Sequence, residues 1–399
     1  MGNSIIFLCM IGLFISFNLN AFGFGIRTQA ADFMIPIMGS IALKQASFRN
    51  VLKSYSVWAV ILVFTSILII GAACHWFYFG AINFWGIKKI IGLCICIVYF
   101  LVGISFCEKR EDVVHMLIIA SWVMGAISLI GCSFPATRYF FIYSDLTRLQ
   151  GLMGNPNAYG IFFAFALLLQ ISVNNLLPFK NEAKIFGLII LILNLLGTTS
   201  RAAWGAFIMS YFVYALNTNG LKRFFLMSTS CFIVFCFTML TVLQFNFFKT
   251  NFHTIFYYFD ALKGILETGL TYSLSERLKT LIELMPTFLQ HPITGIGLGG
   301  AMTVHHGQEQ YTIHNTALWF LFEMGIFGLA AFMWFIYKLT TALRTSQDTY
   351  IKALTFPMLS FAIASLANEL FYQRYFWLFA GLIMCDWVRK SQKENSAIQ

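Results

Sequence analysis

Charged residues are scarce in this sequence and make up only 11% of its 399 positions. A soluble domain typically carries about 25% charged residues, so this shortage excludes an ordinary water-soluble protein. Signatures of bound metals and nucleotides are also missing, because there is no H-E-x-x-H, no clustered Cys/His set, no P-loop and no Rossmann fingerprint. We therefore expect neither a metal site nor a cofactor.

Cysteine and basic residues are present, but their placement excludes two further classes. The nine cysteines lie almost entirely within or at the ends of apolar runs and none lies in 246–312, so we expect no disulfide framework. The net charge of +10 is not gathered into a basic stripe interleaved with aromatics, so we expect no nucleic-acid partner. The first 24 residues lack a basic start and a small-residue cleavage pattern, which predicts a retained span.

Long apolar runs dominate the chain. Hydrophobic residues make up 59% of it and come in runs of about 20, the length that crosses a hydrocarbon core about 30 Å thick. Because the runs are continuous rather than alternating, the predicted fold class is all-α, a polytopic membrane protein of about twelve transmembrane helices. The second span contains Pro36 and Gly39 and is predicted to be broken or re-entrant. The predicted spans are 4–24, 32–43, 55–79, 85–107, 113–132, 156–176, 184–198, 201–217, 224–245, 314–338, 353–368 and 376–388.

Basic residues in the short loops set the orientation. Fifteen of the 26 Lys and Arg fall on the side of the two termini, which the positive-inside rule makes cytoplasmic. The others run against this bias, and an ionisable residue at the membrane edge is a functional candidate. They are Arg27, Lys88, Lys89, Arg138, Arg148, Arg201, Lys249, Lys263, Arg277, Lys279 and Arg374. Anchoring at the lipid interface is an equal alternative for the lysines at 88, 89, 249 and 263.

The segment 246–312 is the one large outer loop, too short and too apolar for a domain of its own. Apolar residues recur at helical spacing over 252–266 and 273–289, which predicts two interfacial helices that roof the bundle. Ser273 and Glu276 have capping-box spacing at the start of the second helix, and Pro292 is predicted to end it.

Two outer patches have the residue types of an anion site. In the first, 148–157, Pro156 opens a helix whose free N–H groups, with Arg148, Asn155 and Asn157, would suit an anion; a plain loop-to-helix entry is the alternative. In the second, Gly197–Arg201, a guanidinium in a tight hairpin pairs well with phosphate oxygens.

Two further patches follow in the large loop and beyond it. Arg277 lies on the capped roof helix, and His314-Asn315 stand at the start of an apolar run. The positive end of a helix favours a neutral imidazole, which is what a general base requires, although a lone histidine is more often structural. Glu323 lies half a turn out of phase and is not expected to orient His314 directly.

The four patches together resemble the O-antigen ligase and Wzy polymerase superfamily. The motifs are R-x-x-G-x-x-G-N-P-N, T-S-R-x-x-W, S-x-R-L…P-I-x-G-I-G-x-G and H-N-x-x-L…E-x-G-I-x-G-L, in this order over residues 140–335. The resemblance implies a single membrane domain, 1–399, with a GT-C-like architecture. It also implies an inverting, metal-independent glycosyltransferase on the periplasmic face of the bacterial inner membrane.

The resemblance further implies a role for each patch. The donor would be a glycan on undecaprenyl diphosphate, held by Arg201 and Arg277, and His314 would activate the acceptor hydroxyl. His305 and His306 compete with His314 for the role of base. The candidate substrate-binding residues are Arg148, Asn155, Asn157, Asn315, Lys88 and Arg374. For Lys88 and Arg374 the sequence indicates no specific contact.

Three functions stay open. A ligase passes the finished polymer to lipid A–core, whereas a Wzy-type polymerase passes it to another lipid-linked repeat unit. The His-Asn motif and the single large loop slightly favour the ligase. A transporter or flippase is the third alternative, but such folds usually show two similar halves, and here the halves differ.

Overall fold

The computed structural model describes residues 3–21, 24–44, 46–52, 54–82, 84–143, 148–218, 270–304 and 313–398. Side chains are described within these ranges except at 3, 17–21, 24–27, 41–44, 46–47, 50, 56, 270–278 and 389–398. The predicted span 224–245 and the predicted roof helix 252–266 lie outside the described residues, as do His305 and His306.

The described chain is mostly helical, as the apolar runs predict. The two strands are β1 Ser16–Ala21 and β2 Phe24–Gln29. The helices are α1 Asn3–Gly12, α2 Ile35–Lys44, α3 Ala46–Leu52, α4 Tyr55–Phe79, α5 Phe84–Ser105, α6 Arg110–Ser133, α7 Arg138–Phe141, α8 Pro156–Val173, α9 Asn181–Gly197, α10 Arg201–Thr218, α11 Leu270–Gln290, α12 Gly300–Val304, α13 Thr316–Thr345, α14 Thr349–Ala353, α15 Thr355–Ser365 and α16 Arg374–Ile398. Single 3₁₀ turns lie at Ala30–Met34, Cys107–Lys109 and Gly151–Met153.

Membrane crossing is supported by length and apolar composition. Five helices of the described part meet both requirements: Val57–Phe79, Phe84–Ser105, Cys107–Ser133, Pro156–Val173 and Thr316–Thr345. Their bounds follow the spans predicted from hydropathy closely. A polytopic membrane fold is therefore well supported, and the full set of twelve spans stays a prediction.

The first predicted span, 4–24, is wrong. The chain leaves α1 after Gly12 and forms an antiparallel hairpin in which Ser16 pairs with Gln29. The reason is visible in the segment SFNLN, because its polar residues alternate with apolar ones at the period of a strand. The second predicted span is broken, as expected, into the 3₁₀ turn Ala30–Met34 and the short helix α2.

Helices α5 and α16 pack against each other at van der Waals contact of their backbones. A Cβ added at Gly103 would lie 1.9 Å from the carbonyl oxygen of Leu378, and one added at Gly381 would lie 2.0 Å from that of Phe100. Small residues allow this approach, as they commonly do in membrane helix pairs. The crossing fixes the relative position of the two helices whose outer ends carry Lys88, Lys89 and Arg374.

Helix α8 is the central helix of the described bundle, since its side chains from Tyr159 to Gln170 are buried. Beside it lies an aromatic cluster centred on Trp377, whose ring centroid is 4.8 Å from that of Phe371 and 4.9 Å from that of Phe64. Phe371 in turn stacks against Trp319. This cluster is rigid packing directly below the site described next.

The roof helix α11 begins three residues before the predicted cap. Because the helix starts at Leu270, Ser273 lies inside it, and the predicted capping box at its start is wrong. The helix ends at Gln290, two residues before Pro292, as predicted. Leu284 is fully buried while Ile282 and Leu289 are about two-thirds exposed, an arrangement typical of a helix lying in the membrane interface.

Candidate active site

A cavity of about 550 Å³ lies where the N-terminal ends of four helices meet. Its walls come from the first turns of α5, the cap of α8, the start of α13 and the start of α16. All four ends belong to the side that the basic loops predict to be outside. Helix N-termini carry partial positive charge, and at the starts of α8 and α13 the side chains of Asn155 and Asn315 already accept backbone N–H groups.

Three basic side chains line this cavity: Lys88, Lys89 and Arg374. Lys88 lies over the rings of Phe84 and Trp85, with its Nζ 5.7 and 5.3 Å from their centroids. The acidic side chains of Glu323 and Glu369 line the same cavity, so its wall carries charges of both signs. Lys88 and Arg374 are both predicted substrate-binding residues, and in the structure both line this cavity.

Lys89 is held between two aromatic rings and a carboxylate. Its Nζ lies 5.0 Å from the ring centroid of Trp319 and 4.7 Å from that of Tyr372, and it forms an ion pair with Glu369. All four side chains line the cavity. The ion pair joins α5 to the turn before α16, and thus two walls of the cavity.

Arg374 is positioned by an aspartate outside the cavity lining. Its guanidinium lies 3.2 Å from Oδ2 of Asp32. Asp32 also accepts hydrogen bonds from the Tyr99 hydroxyl at 3.0 Å and from the Gln29 N–H at 2.9 Å. The N-terminal hairpin, α5 and α16 are therefore joined behind the cavity wall.

The glycine-rich turn docks against a break in α13. The break lies at Gly325, whose φ of 67° and ψ of −166° are non-helical, and it frees two carbonyl groups. Ile296 N–H donates to the carbonyl of Phe322 and Gly297 N–H donates to that of Glu323. The buried Glu323 carboxylate accepts the Gly299 N–H at 2.8 Å. The turn is thus fixed, and α12, which follows it, contributes Ala301 and Met302 to the cavity.

His314 lines the cavity and is exposed. The next residue, Asn315, caps α13: its side-chain oxygen accepts the Leu318 N–H at 3.0 Å, and its amide donates to the Leu366 carbonyl at 3.0 Å. Asn315 therefore fixes the backbone beside His314. His314 is thus an exposed imidazole in the cavity wall, next to a fixed helix start.

The first predicted patch contacts the second, and one of its residues reaches the cavity. Arg148 donates to the Asn157 side-chain oxygen at 2.7 Å and to the Thr198 carbonyl at 3.2 Å. Asn155 caps α8, where its side chain takes the N–H groups of Asn157 and Ala158, and it also lines the cavity. The amides that the sequence offered to an anion are thus occupied by Asn155.

Arg201, one of the two arginines predicted for the donor site, is not among the described residues that line the cavity. Arg201 is the first residue of α10 and is exposed, two residues after Thr199, whose φ of 50° is unusual for a residue other than glycine. Such local strain is often found at functional sites. Arg277 lies on α11, and its side chain is outside the described part. The roles of both arginines stay predictions.

The acidic residues at the site were not predicted from the sequence. Among them are Asp32 and Glu369, and Glu323 was considered only as a partner of His314. The aromatic ring of Tyr372 was not predicted either. A signal existed for Glu369, since it is the sole acid in the turn between the last two predicted spans. A carboxylate at the membrane edge is a functional candidate by the same rule that selected the arginines.

The fold and the site define a class: a polytopic helical membrane protein with a cavity lined by charged side chains at one end of its bundle. Within this class, residues 186–333 match the family model described as O-antigen ligase (Wzy_C). This match confirms the resemblance to the O-antigen ligase and Wzy polymerase superfamily, and it contains Arg201, Arg277 and His314. No curated protein matches the chain. The family supports a ligase- or polymerase-type activity of a membrane glycosyltransferase that uses lipid-linked glycan and acceptor substrates.

Proposed function

We propose that this protein is an O-antigen ligase, which transfers a glycan from undecaprenyl diphosphate to a hydroxyl of lipid A–core. The observation that carries the proposal is that the exposed His314 lines the same cavity as Lys88, Lys89 and Arg374. One titratable base beside several cations suits a reaction in which a hydroxyl attacks and a diphosphate leaves.

The proposed reaction is a single displacement with inversion and without a metal. The acceptor oxygen forms a bond to the anomeric carbon while the bond from that carbon to the diphosphate oxygen breaks. The hydroxyl proton passes to His314, and the electron pair leaves with the diphosphate. By the resemblance, Arg201 and Arg277 stabilise the departing charge. Both substrates are anchored in lipid, so the cavity needs only to align them.

The finer setting is part of the same proposal. We infer a GT-C-like architecture in the bacterial inner membrane, with the cavity on the periplasmic face and a cytoplasmic C-terminus. The basic loops support this orientation. A Wzy-type polymerase is the second candidate, since the family match covers both activities.

The central test replaces His314 by alanine in the native host after deletion of the gene. We expect transfer to fall at least about a hundredfold, the usual scale for loss of a general base, while the protein stays in the membrane. A lipopolysaccharide gel measures the transfer. His291→Ala is the matched control, because His291 stacks on Tyr78 at 3.8 Å and does not line the cavity. Activity of His314→Ala within a few-fold of wild type would falsify the base assignment.

The two arginines are tested in the same gel. Arg201→Ala and Arg277→Ala should each lose transfer, whereas the exposed Arg344, in the last turn of α13, should tolerate alanine. The deletion strain separates the candidates. Rough lipid A–core with accumulated lipid-linked polymer identifies a ligase, and core capped by one repeat unit identifies a polymerase. An unchanged ladder contradicts both and points to transport or to another glycan.

A further inference from the structure

The ion pair between Lys89 and Glu369 lies in the wall of the cavity rather than in the protein core. The two side chains are 17% and 10% exposed, and both line the cavity. Taking an ion pair out of water gains little stability, since apolar residues of similar size often serve as well. Stability therefore does not explain why this ion pair lies in the cavity wall.

The two carboxylates that pair with cavity cations differ in their surroundings. Asp32 accepts from Gln29, Tyr99 and Arg374, and it does not line the cavity. Glu369 lies in the turn that joins α15 to α16, outside regular secondary structure, and it faces the cavity. Asp32, outside the cavity lining, is thus bound by three donors, whereas Glu369 meets Lys89 in the cavity wall.

The surroundings of Lys89 suit an anion that is larger than a carboxylate. Its ammonium is held at about 5 Å from the rings of Trp319 and Tyr372, which orient it without neutralising it. Lys88 and Arg374 line the same cavity, as does Glu323, whose carboxylate accepts the Gly299 N–H. A diphosphate carries more negative charge and more acceptor oxygens than a single carboxylate, so it suits a wall with three basic side chains better.

We propose that Lys89 is an anion-binding residue of this cavity and that Glu369 is its exchangeable counter-ion, which leaves Lys89 when a diphosphate enters. Glu369 keeps the empty cavity close to neutral and raises the concentration of anion needed to fill it. The identification of the natural anion as the donor diphosphate rests on the proposed function. The exchange itself does not.

The test measures binding of inorganic pyrophosphate to the purified full chain by isothermal titration calorimetry in phosphatidylcholine nanodiscs. Glu369→Gln removes the competing charge and keeps the side-chain size, so it should bind pyrophosphate about tenfold more tightly. Lys89→Met should bind about tenfold more weakly. The double variant should resemble Lys89→Met, since the gain from Glu369→Gln requires the ammonium.

A matched pair controls for net charge. Lys279 and Glu283 form an exposed i,i+4 pair on α11, 3.9 Å apart, and neither lines the cavity. Lys279→Met and Glu283→Gln make the same changes of charge and should leave pyrophosphate binding close to wild type. If Lys89→Met does not fold, the comparison of Glu369→Gln with Glu283→Gln still decides the question. Equal or weaker binding by Glu369→Gln overturns the proposal, because a purely structural ion pair predicts that result.

Two further arms identify the source of the anion and separate this inference from the proposed function. In nanodiscs that contain phosphatidylglycerol, weaker pyrophosphate binding by wild type but not by Lys89→Met means that lipid headgroups also reach Lys89. If phosphatidylglycerol does not change pyrophosphate binding by wild type, Lys89 binds diphosphate but not lipid headgroups. Both results agree with an anion-binding role of Lys89. The two proposals can fail separately. Tighter pyrophosphate binding by Glu369→Gln supports the anion site, whereas absence of glycan transfer by the wild-type protein contradicts the proposed function.

Discussion

Arg374 owes its position in the cavity wall to a carboxylate that lies behind the wall. The guanidinium and the Asp32 carboxylate are 12% and 10% exposed, so both charges depend on each other and on the hydrogen bonds to Asp32. Breaking such a pair on one side leaves an uncompensated buried charge, which is more harmful than removing both partners. At this scale the cavity wall depends on Asp32, a residue that does not line it.

Asp32→Asn is therefore expected to lower the free energy of unfolding by about 3–5 kcal/mol. Thermal unfolding of the purified protein in detergent measures the effect. The double variant Asp32→Asn with Arg374→Met should recover part of the loss, since it removes the stranded charge. A melting temperature of Asp32→Asn equal to that of wild type would show that the pair contributes no stability.

Neighbouring lysines differ in what they contact. Consecutive residues on a helix point about 100° apart, so Lys88 and Lys89 cannot share one set of neighbours. Lys88 lies over Trp85 of its own helix, while Lys89 reaches Trp319 and Glu369 on other elements. Identical residue types at adjacent positions thus have different neighbours, although both line the cavity.

At the scale of elements, the break in α13 organises the glycine-rich turn. A continuous helix would use the carbonyls of Phe322 and Glu323 internally, and the turn would have no partner for Ile296 and Gly297. The backbone angles of Gly325 lie in a region open almost only to glycine. The break and the turn therefore form one structural unit. This unit positions Glu323, together with Ala301 and Met302 of α12, in the cavity wall.

Gly325→Ala is expected to disrupt this unit. The backbone strain alone is about 1–3 kcal/mol, and the new Cβ would lie 2.2 Å from the Ile293 carbonyl oxygen. Both the melting temperature in detergent and transfer on the lipopolysaccharide gel should fall. Gly205→Ala is the control, because a Cβ at this exposed helical glycine meets no atom within 4 Å and should be neutral or slightly stabilising. A Gly325→Ala protein as stable as Gly205→Ala would contradict the docking.

At the scale of the whole molecule, one end of the bundle collects the positive charge that the orientation rule would exclude from the outside. The N-terminal ends of α5, α8, α13 and α16 meet there, beside His314. A site open to the periplasm and to the lipid would admit both a lipid-linked donor and a lipid-linked acceptor. Orientation is therefore the property on which the proposed function depends most.

Reporter fusions test the orientation. Alkaline phosphatase fused after Phe134 should be active, and fusions after Leu177 and Gln399 should be inactive, because these positions lie on opposite sides in the predicted topology. A fluorescent protein at Gln399 should fluoresce. Since the ten residues of α1 are too short to cross about 30 Å, the placement of the N-terminus needs its own fusion before Met1. Active phosphatase at Gln399 would put the C-terminus outside and contradict the model of the site.

The membrane class, the bounds of most spans and the outer patches were predictable from the sequence. Apolar runs and helix starts are local signals, and Asn155-Pro156 and His314-Asn315 begin α8 and α13 where predicted. The hairpin at 16–29 was missed because an apolar average over the first 24 residues hid its alternation. The predicted start of α11 was wrong because the spacing of Ser273 and Glu276 does not show where the helix packs, and the helix begins at Leu270.

The sequence by itself determined that this chain crosses membranes, which residues are rare enough there to matter, and which family it resembles, because composition, runs and motifs are properties of neighbouring positions. Only the tertiary structure decided which charges meet. Lys89 pairs with Glu369 across 280 positions, and Arg374 pairs with Asp32 across 342. Those partnerships follow from the close glycine crossing of α5 and α16 and from the break at Gly325, whose consequences depend on what packs against them.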